Sequence, residues 1–124
     1  MPWDTTFHED IKVLQVTSHG IMSVATVKQM CVEIIEAGRH RGALGYLIDH
    51  RDMTPNLTTV DISCYPQFLA DMGTRRSVKI AYVFSESAKK DDVGFFETVM
   101  SNYGFKCQFF RDLLTARLWL QEVE

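Results

Sequence analysis

The stretch ALGYLID, Ala43 to Asp49, has a later counterpart in VKIAYVF, Val78 to Phe84. Both are largely apolar and too short for helices, the pattern of strands covered on both faces, so they predict two central parallel strands. Between them Cys64, Tyr65, Phe68, Leu69 and Met72 share one helical face, and Gly73 follows as a stop. Pro66 limits where that helix can begin. An interior proline costs about 3 kcal/mol, whereas in the first turn its missing N–H costs little. Ser63 is therefore the expected N-cap, and Met53 to Ile62 a loop or a separate short turn.

Upstream, TTFHEDIKVLQVTSHG holds two extended runs separated by Glu9-Asp10, the second from Ile11 to Thr17, which predicts a hairpin. From Ser23, an expected N-cap, the apolar residues Val24, Val27, Met30, Cys31, Ile34 and Ile35 recur at steps of three and four, as in an amphipathic helix. Downstream, a helix is expected from about Asp92 to Tyr103, with Val93, Phe96, Val99, Met100 and Tyr103 inward and Gly104 past its end. FKCQFF alternates Phe105, Cys107 and Phe109 against Lys106 and Gln108, like an edge strand with one wetter face. Asp112 then caps a last helix with Leu113, Ala116, Trp119, Leu120 and Val123 on one side. The order β-β-α-β-α-β-α-β-α predicts an α/β sandwich: a mainly parallel sheet, an antiparallel edge strand at its start and helices on both faces.

A chain of 124 residues without repeats or linkers is the size of one domain, taken as 1–124. Its net charge of -3 makes no electrostatic case for nucleic acid or an anionic membrane. Cys31, Cys64 and Cys107 are odd in number and widely spaced, which argues for reduced, packed thiols over disulfides or a metal site. The acidic start MPWDTTFHED lacks the pattern of a signal peptide, and no apolar run reaches the ~18 residues of a membrane span, so a cytoplasmic location and no membrane insertion are expected.

Ligands and partners of open parallel sheets meet the carboxyl ends of the strands. Here that end collects Ser18 to Ser23, Asp49 to Ser63, Ser85 to Asp92, and Arg111 with Asp112. The segment Asp49-His50-Arg51-Asp52 resembles the His-Arg-Asp loop of protein kinases, but Asn56 falls four residues after Asp52 where that pattern needs five. The phosphate loop, the strand lysine and the Asp-Phe-Gly of kinases are also missing. A hydrolytic set could be written from Ser85 or Cys64 with His50 and Asp49, yet no Gly-x-Ser-x-Gly elbow supports it. His50 is expected to be a solvated loop residue or part of a local ion-pair cluster, and Arg51 between Asp49 and Asp52 a surface pairing worth up to ~1 kcal/mol. No catalytic residue, metal site or cofactor is assigned. Ser23, Thr58, Thr59 and Ser63 are capping or turn residues first, at positions where a phosphate would also act strongly on a helix N-terminus. Phe68, Met72, Phe95, Phe96, Met100 and Tyr103 are either core or the lining of an apolar pocket between helices and sheet.

The order of elements, with GIMSVATVKQM opening a helix, GYLIDHRD ending a central strand, then VKIAYVF and NYGFKCQFFRDLLTARLWL, resembles the SpoIIAA-like branch of the STAS domains (sulphate transporter and anti-sigma factor antagonist) over about the whole chain. Phe110-Arg111-Asp112 followed by Ala116 and Trp119-Leu120 is similar to the family's Phe-x-Asp and Ala-x-x-Trp-Leu. The resemblance implies a SpoIIAA-like fold and a non-enzymatic regulatory or protein-interaction domain, switched in some members by phosphorylation in the loop after the central strand. The family's Asp-Ser-Ser-Gly is replaced here by Asp49-His50-Arg51-Asp52. The partner or ligand edge implied is Asp49, His50, Arg51, Asp52 and Thr54, and the hydroxyls placed to accept phosphate are Thr54, Thr58, Thr59 and Ser63. A protein partner is expected, with homodimerisation through a sheet edge or helix face. A looser resemblance to the CRAL-TRIO domains implies the alternative, a carrier or sensor of a small apolar, lipid-like ligand.

Overall fold

The elements of this computed structural model, which describes residues 2–122, are β1 (Trp3–His8), β2 (Val13–Ser23), α1 (Val24–Arg41), β3 (Gly45–Asn56), α2 (Thr59–Asp71), β4 (Lys79–Val83), α3 (Lys90–Asn102), β5 (Lys106–Phe110) and α4 (Leu113–Gln121). They form one sheet in the order β1-β2-β3-β4-β5. β1 pairs antiparallel to β2, and the other neighbours are parallel. The α/β fold expected from the sequence is the one observed. Val123, expected on the inner side of α4, lies outside the described residues.

The strand order decides where the helices go. Each of α1, α2 and α3 connects a parallel strand to its immediate neighbour, always in the same direction, and right-handed crossovers then place all of them on one face. Tyr46 and Ile48 of β3 and Ile80 and Tyr82 of β4 pack there against Met30, Ile34, Leu69 and Met100. α4 follows the last strand with no crossover to make. It covers the opposite face, where Leu47, Ala81 and Val83 alternate with those residues and meet Ala116, Leu113 and Trp119. Gly45 allows this approach, because a Cβ there would lie 3.2 Å from Leu120 and 3.1 Å from the Lys79 carbonyl.

The expected caps hold at two helices: Ser23 accepts from the Thr26 N–H and Asp112 from the Thr115 N–H. Both chain-order edges are as expected, and β5 turns Lys106 and Gln108 outward. Three expectations need correction. α2 starts at Thr59, not after Ser63: Thr58 is its N-cap, in a capping box with Asp61. Pro66 therefore sits inside the helix, where it is buried, and its packing offsets the backbone bond it cannot donate. Met53 to Asn56 are strand, not loop, paired with Gly20 to Ser23. Finally, Cys64, Phe95 and Tyr103 are exposed, so Cys64 is not a packed thiol and the inward face of α3 ends at Met100.

The corrected start of α2 is testable. Thr58→Ala removes the oxygen that accepts from the Asp61 N–H and leaves that donor uncapped, so urea unfolding is expected to find it less stable by about 1 kcal/mol. Ser63→Ala, within the first turns and exposed, is expected to stay within about 0.5 kcal/mol of wild type. The reverse ranking would restore Ser63 as the cap.

Candidate functional site

Asp49-His50-Arg51-Asp52 is a β-bulge. Thr17 pairs with Asp49 and His19 with Asp52, so Ser18 alone faces His50 and Arg51. Bulges bend a strand and re-aim its side chains. Here Asp49 and Arg51 meet on one face and His50 turns to the other. Leu47 belongs to the α4-side cluster, and alternation puts Asp49 on that side too. Arg51 folds back onto it, with Nε donating to Oδ1 and Nη2 to Oδ2, both at 2.9 Å, while the Arg51 N–H also donates to Oδ1.

Asp49 is only 4% exposed, and the bidentate guanidinium is what makes a carboxylate tolerable at such burial. This is a tighter unit than the surface pairing expected. The Asp52 side chain makes no hydrogen bond among the described residues and is exposed on the strand beyond. The hydrogen bonding of Arg51 to Asp49, with smaller contributions from Asp52 and Asp112 nearby, raises the Arg51 pKa and keeps it charged.

His50 turns the other way and is not solvated. It is 8% exposed, with its ring centroid 5.9 Å from that of Tyr82 and 5.8 Å from that of Phe84. Its Nδ1 lies 2.5 Å from Ser18 Oγ, and the Ser18 hydroxyl is also 3.3 Å from the Asp49 carbonyl. Burial lowers the His50 pKa from 6.5 to about 4, against the smaller opposing effect of Asp49, so the ring is neutral near pH 7. The sequence points to the segment containing Ser18 but not to this bond, and with the partners 32 positions apart no local pattern carries it.

β4 ends opposite Asp49, whereas β2 and β3 continue as a two-stranded ribbon to Ser23 and Asn56. Thr54 is exposed on this ribbon, and Thr58 and Thr59 are exposed where α2 begins. Thr58 Oγ1 is occupied as the cap and Ser63 Oγ donates to the Val60 carbonyl at 2.7 Å. Thr59 makes no side-chain hydrogen bond among the described residues. Two apolar residues that the sequence pattern does not single out are prominent at this end: Ile21 is 74% exposed and Val60 68%. Arg111 donates to the Ser85 carbonyl, fastening the end of β5 to the loop after β4.

The hydrolytic set does not assemble: His50 bonds Ser18, Asp49 bonds Arg51, and among the described residues neither bonds Ser85 or Cys64. Among those residues no group of three or more His, Cys, Asp or Glu side chains is placed to hold a metal ion, and no helix is long and apolar enough to cross a membrane. Between helices and sheet, Cys31, Tyr65 and Tyr82 form a hydrogen-bonded chain with 3.1 Å links beside a cavity of about 20 Å³, room for about one water. Compared with protein-family models and with curated proteins, the chain matches none.

Proposed function

We propose that this chain is a STAS-like, SpoIIAA-like regulatory domain of the cytoplasm that acts without catalysis, by binding another protein through the Asp49 to Ser63 edge and the β2–β3 ribbon. The observation that carries the reading is the ribbon itself. It projects past β4, so the outer edge of β3 beyond Asp49 has no neighbouring strand among the described residues, and Ile21 and Val60 expose apolar surface at the same end. An unpaired strand edge with apolar side chains beside it is a surface another chain can complete. The part-buried Asp49–Arg51 pair and the buried Ser18–His50 contact brace the base of the ribbon, which lowers the ordering cost of binding. A second copy of the chain is one partner this edge could take.

Thr59 suits a phosphorylation switch best among the hydroxyls implied by the family resemblance. A phosphate on Thr58 would displace its cap and face Asp61, whereas one on Thr59 would add charge beside the N-terminus of α2 without breaking a bond. The alternative, an apolar ligand carrier, has no observation in its favour: the space enclosed between helices and sheet would have to open well beyond one water to take an alkyl chain.

The test is affinity purification from cell extract, together with sedimentation of the purified protein, comparing wild type with Ile21→Ser/Val60→Ser and with Arg51→Ala/Asp52→Ala. Partner recovery or self-association is expected to fall at least about tenfold in the Ile21/Val60 variant, as for loss of apolar anchors. A control at the far end of the sheet, Leu44→Ser, should bind as wild type does. Identical partner sets for all proteins would remove this edge from the function.

A further inference from the structure

The opposite end of the sheet carries a second site, which goes beyond the reading above and does not depend on it. Arg39 comes from the last turn of α1, Tyr46 from the start of β3, and Thr74 and Arg75 from the loop between α2 and β4. These four side chains line one open-sided cavity of about 20 Å³, walled on the apolar side by Ile35 and Val78. We propose that it binds a small oxyanion, a phosphate or carboxylate group either free or at the end of a larger molecule, with one ligand oxygen seated among Arg39, Arg75, Thr74 and Tyr46.

Three independent features point there. First, the two arginines line the cavity without a counter-ion: among the described residues neither forms an ion pair with a carboxylate, and the only hydrogen bond of either side chain there is from Arg39 to the Met72 carbonyl. A guanidinium has five donors, so most remain for a ligand. Second, Thr74 is 7% exposed and its Oγ1 has no hydrogen-bond partner among the described residues, which is costly for a buried hydroxyl unless a ligand supplies one. Third, Tyr46, whose phenol end lies against Gly38, lines the same cavity, and although burial raises its pKa, the charges of both Arg39 and Arg75 reach it as smaller opposing effects.

The carbonyl end of α1 opposes an anion, but the N–H groups of Gly42 and Ala43 cap its Arg39 and Gly38 carbonyls. Two full positive charges outweigh the remaining partial negative one. The volume admits a single oxygen-sized atom, so the rest of the ligand lies in the open mouth, where the exposed Arg75 can grip a second oxygen as arginine grips carboxylate and phosphate.

Calorimetric titration of the full chain with inorganic phosphate, and separately with acetate, tests this at constant ionic strength. At least one probe is expected to bind saturably, and the tighter one names the ligand class. Binding should weaken at least about tenfold in Arg75→Ala and severalfold in Thr74→Val, and stay unchanged in Lys90→Ala at the far end of the sheet. Melting gives a second readout that does not depend on affinity. Without the probe, Thr74→Val should melt above wild type because it removes an unmet hydroxyl, and at saturating probe that advantage should shrink or reverse. No saturable binding of either anion, or equal binding by wild type and Arg75→Ala, would leave water as the only occupant and overturn the proposal.

Discussion

Replacing Gly38 with alanine is expected to lower the melting temperature by about 8 °C, or about 2 kcal/mol, although glycine to alanine in a helix ordinarily stabilises. Gly38 lies on the buried face of α1, directly over the end of Tyr46. An added Cβ would stand 2.1 Å from the phenol oxygen, 2.7 Å from Cζ and 2.8 Å from Cε1. Contacts that short force either the helix or the ring to move. The tyrosine is buried in the core cluster, so the shift spreads to Ile34, Ile35 and Ile48. Overpacking of this kind costs typically 1–3 kcal/mol, and the gain in helix propensity, about 1 kcal/mol, recovers only part of it. Gly94 of α3 is the control: a Cβ added there would meet nothing within 4 Å, so Gly94→Ala should stabilise by about 1 kcal/mol. Adding Tyr46→Phe to Gly38→Ala should restore only part of the loss, because the ring carbons remain too close. Equal effects at Gly38 and Gly94 in thermal melts would show that α1 does not depend on this close approach.

Much of the fold was legible because burial writes itself into sequence at fixed periods. ALGYLID and VKIAYVF are apolar on both faces because α4 and the three crossover helices cover both sides of β3 and β4. The steps of three and four from Val24 to Ile35 describe a helix lying on one face of the sheet. What was not legible depends on neighbours in space. HRDMTPN is polar, contains a proline and looks like a loop, yet it continues β3 because β2 runs beside it and supplies hydrogen bonds. Propensity lost to pairing there. The start of α2 differs from expectation for another reason: the penalty for an interior proline points to Ser63, while the Thr58 and Asp61 capping pattern, equally present in the sequence, is the one whose bonds are formed.

The site was half legible. A cluster of Asp, His, Arg and Asp after a central strand marked the end of the α/β core of β3, but charge alone suggested solvated side chains. Two details decide their burial, the continued pairing of this stretch beside β2 and the distant Ser18 that receives the ring. Neither is encoded by residues near His50. Ile21 and Val60 escape a reading of the sequence because an apolar residue in a strand or at a helix start looks inward until the neighbouring elements are placed.

His50 should make the protein sensitive to mild acid. Its pKa is about 4 in the folded chain against 6.5 for the free group, with burial as the main cause. As pH falls below about 6.5 the unfolded chain takes up a proton that the folded chain refuses, so the unfolded state binds more protons and stability drops. The loss accumulates down to about pH 4, where both states carry the proton, and amounts to about 3 kcal/mol in all.

His50→Asn removes this titration while keeping an amide near Nδ1 for Ser18. It gives up ring packing against Tyr82 and Phe84, so at pH 8 it should be less stable than wild type by about 1–2 kcal/mol. The deficit should close between pH 6.5 and 4 and then reverse, because carboxylates common to both proteins cancel in the difference. Urea unfolding across that range measures it, and parallel stability curves for the two proteins would contradict a buried, neutral His50. Because the Ser18–His50 contact joins β2 to β3 at the bulge from which the ribbon springs, the acid-induced loss should be felt there first. Amide exchange at Gly20 to Ser23 and Met53 to Asn56 is accordingly expected to accelerate on acidification more in wild type than in His50→Asn, after correction for the intrinsic pH dependence of exchange.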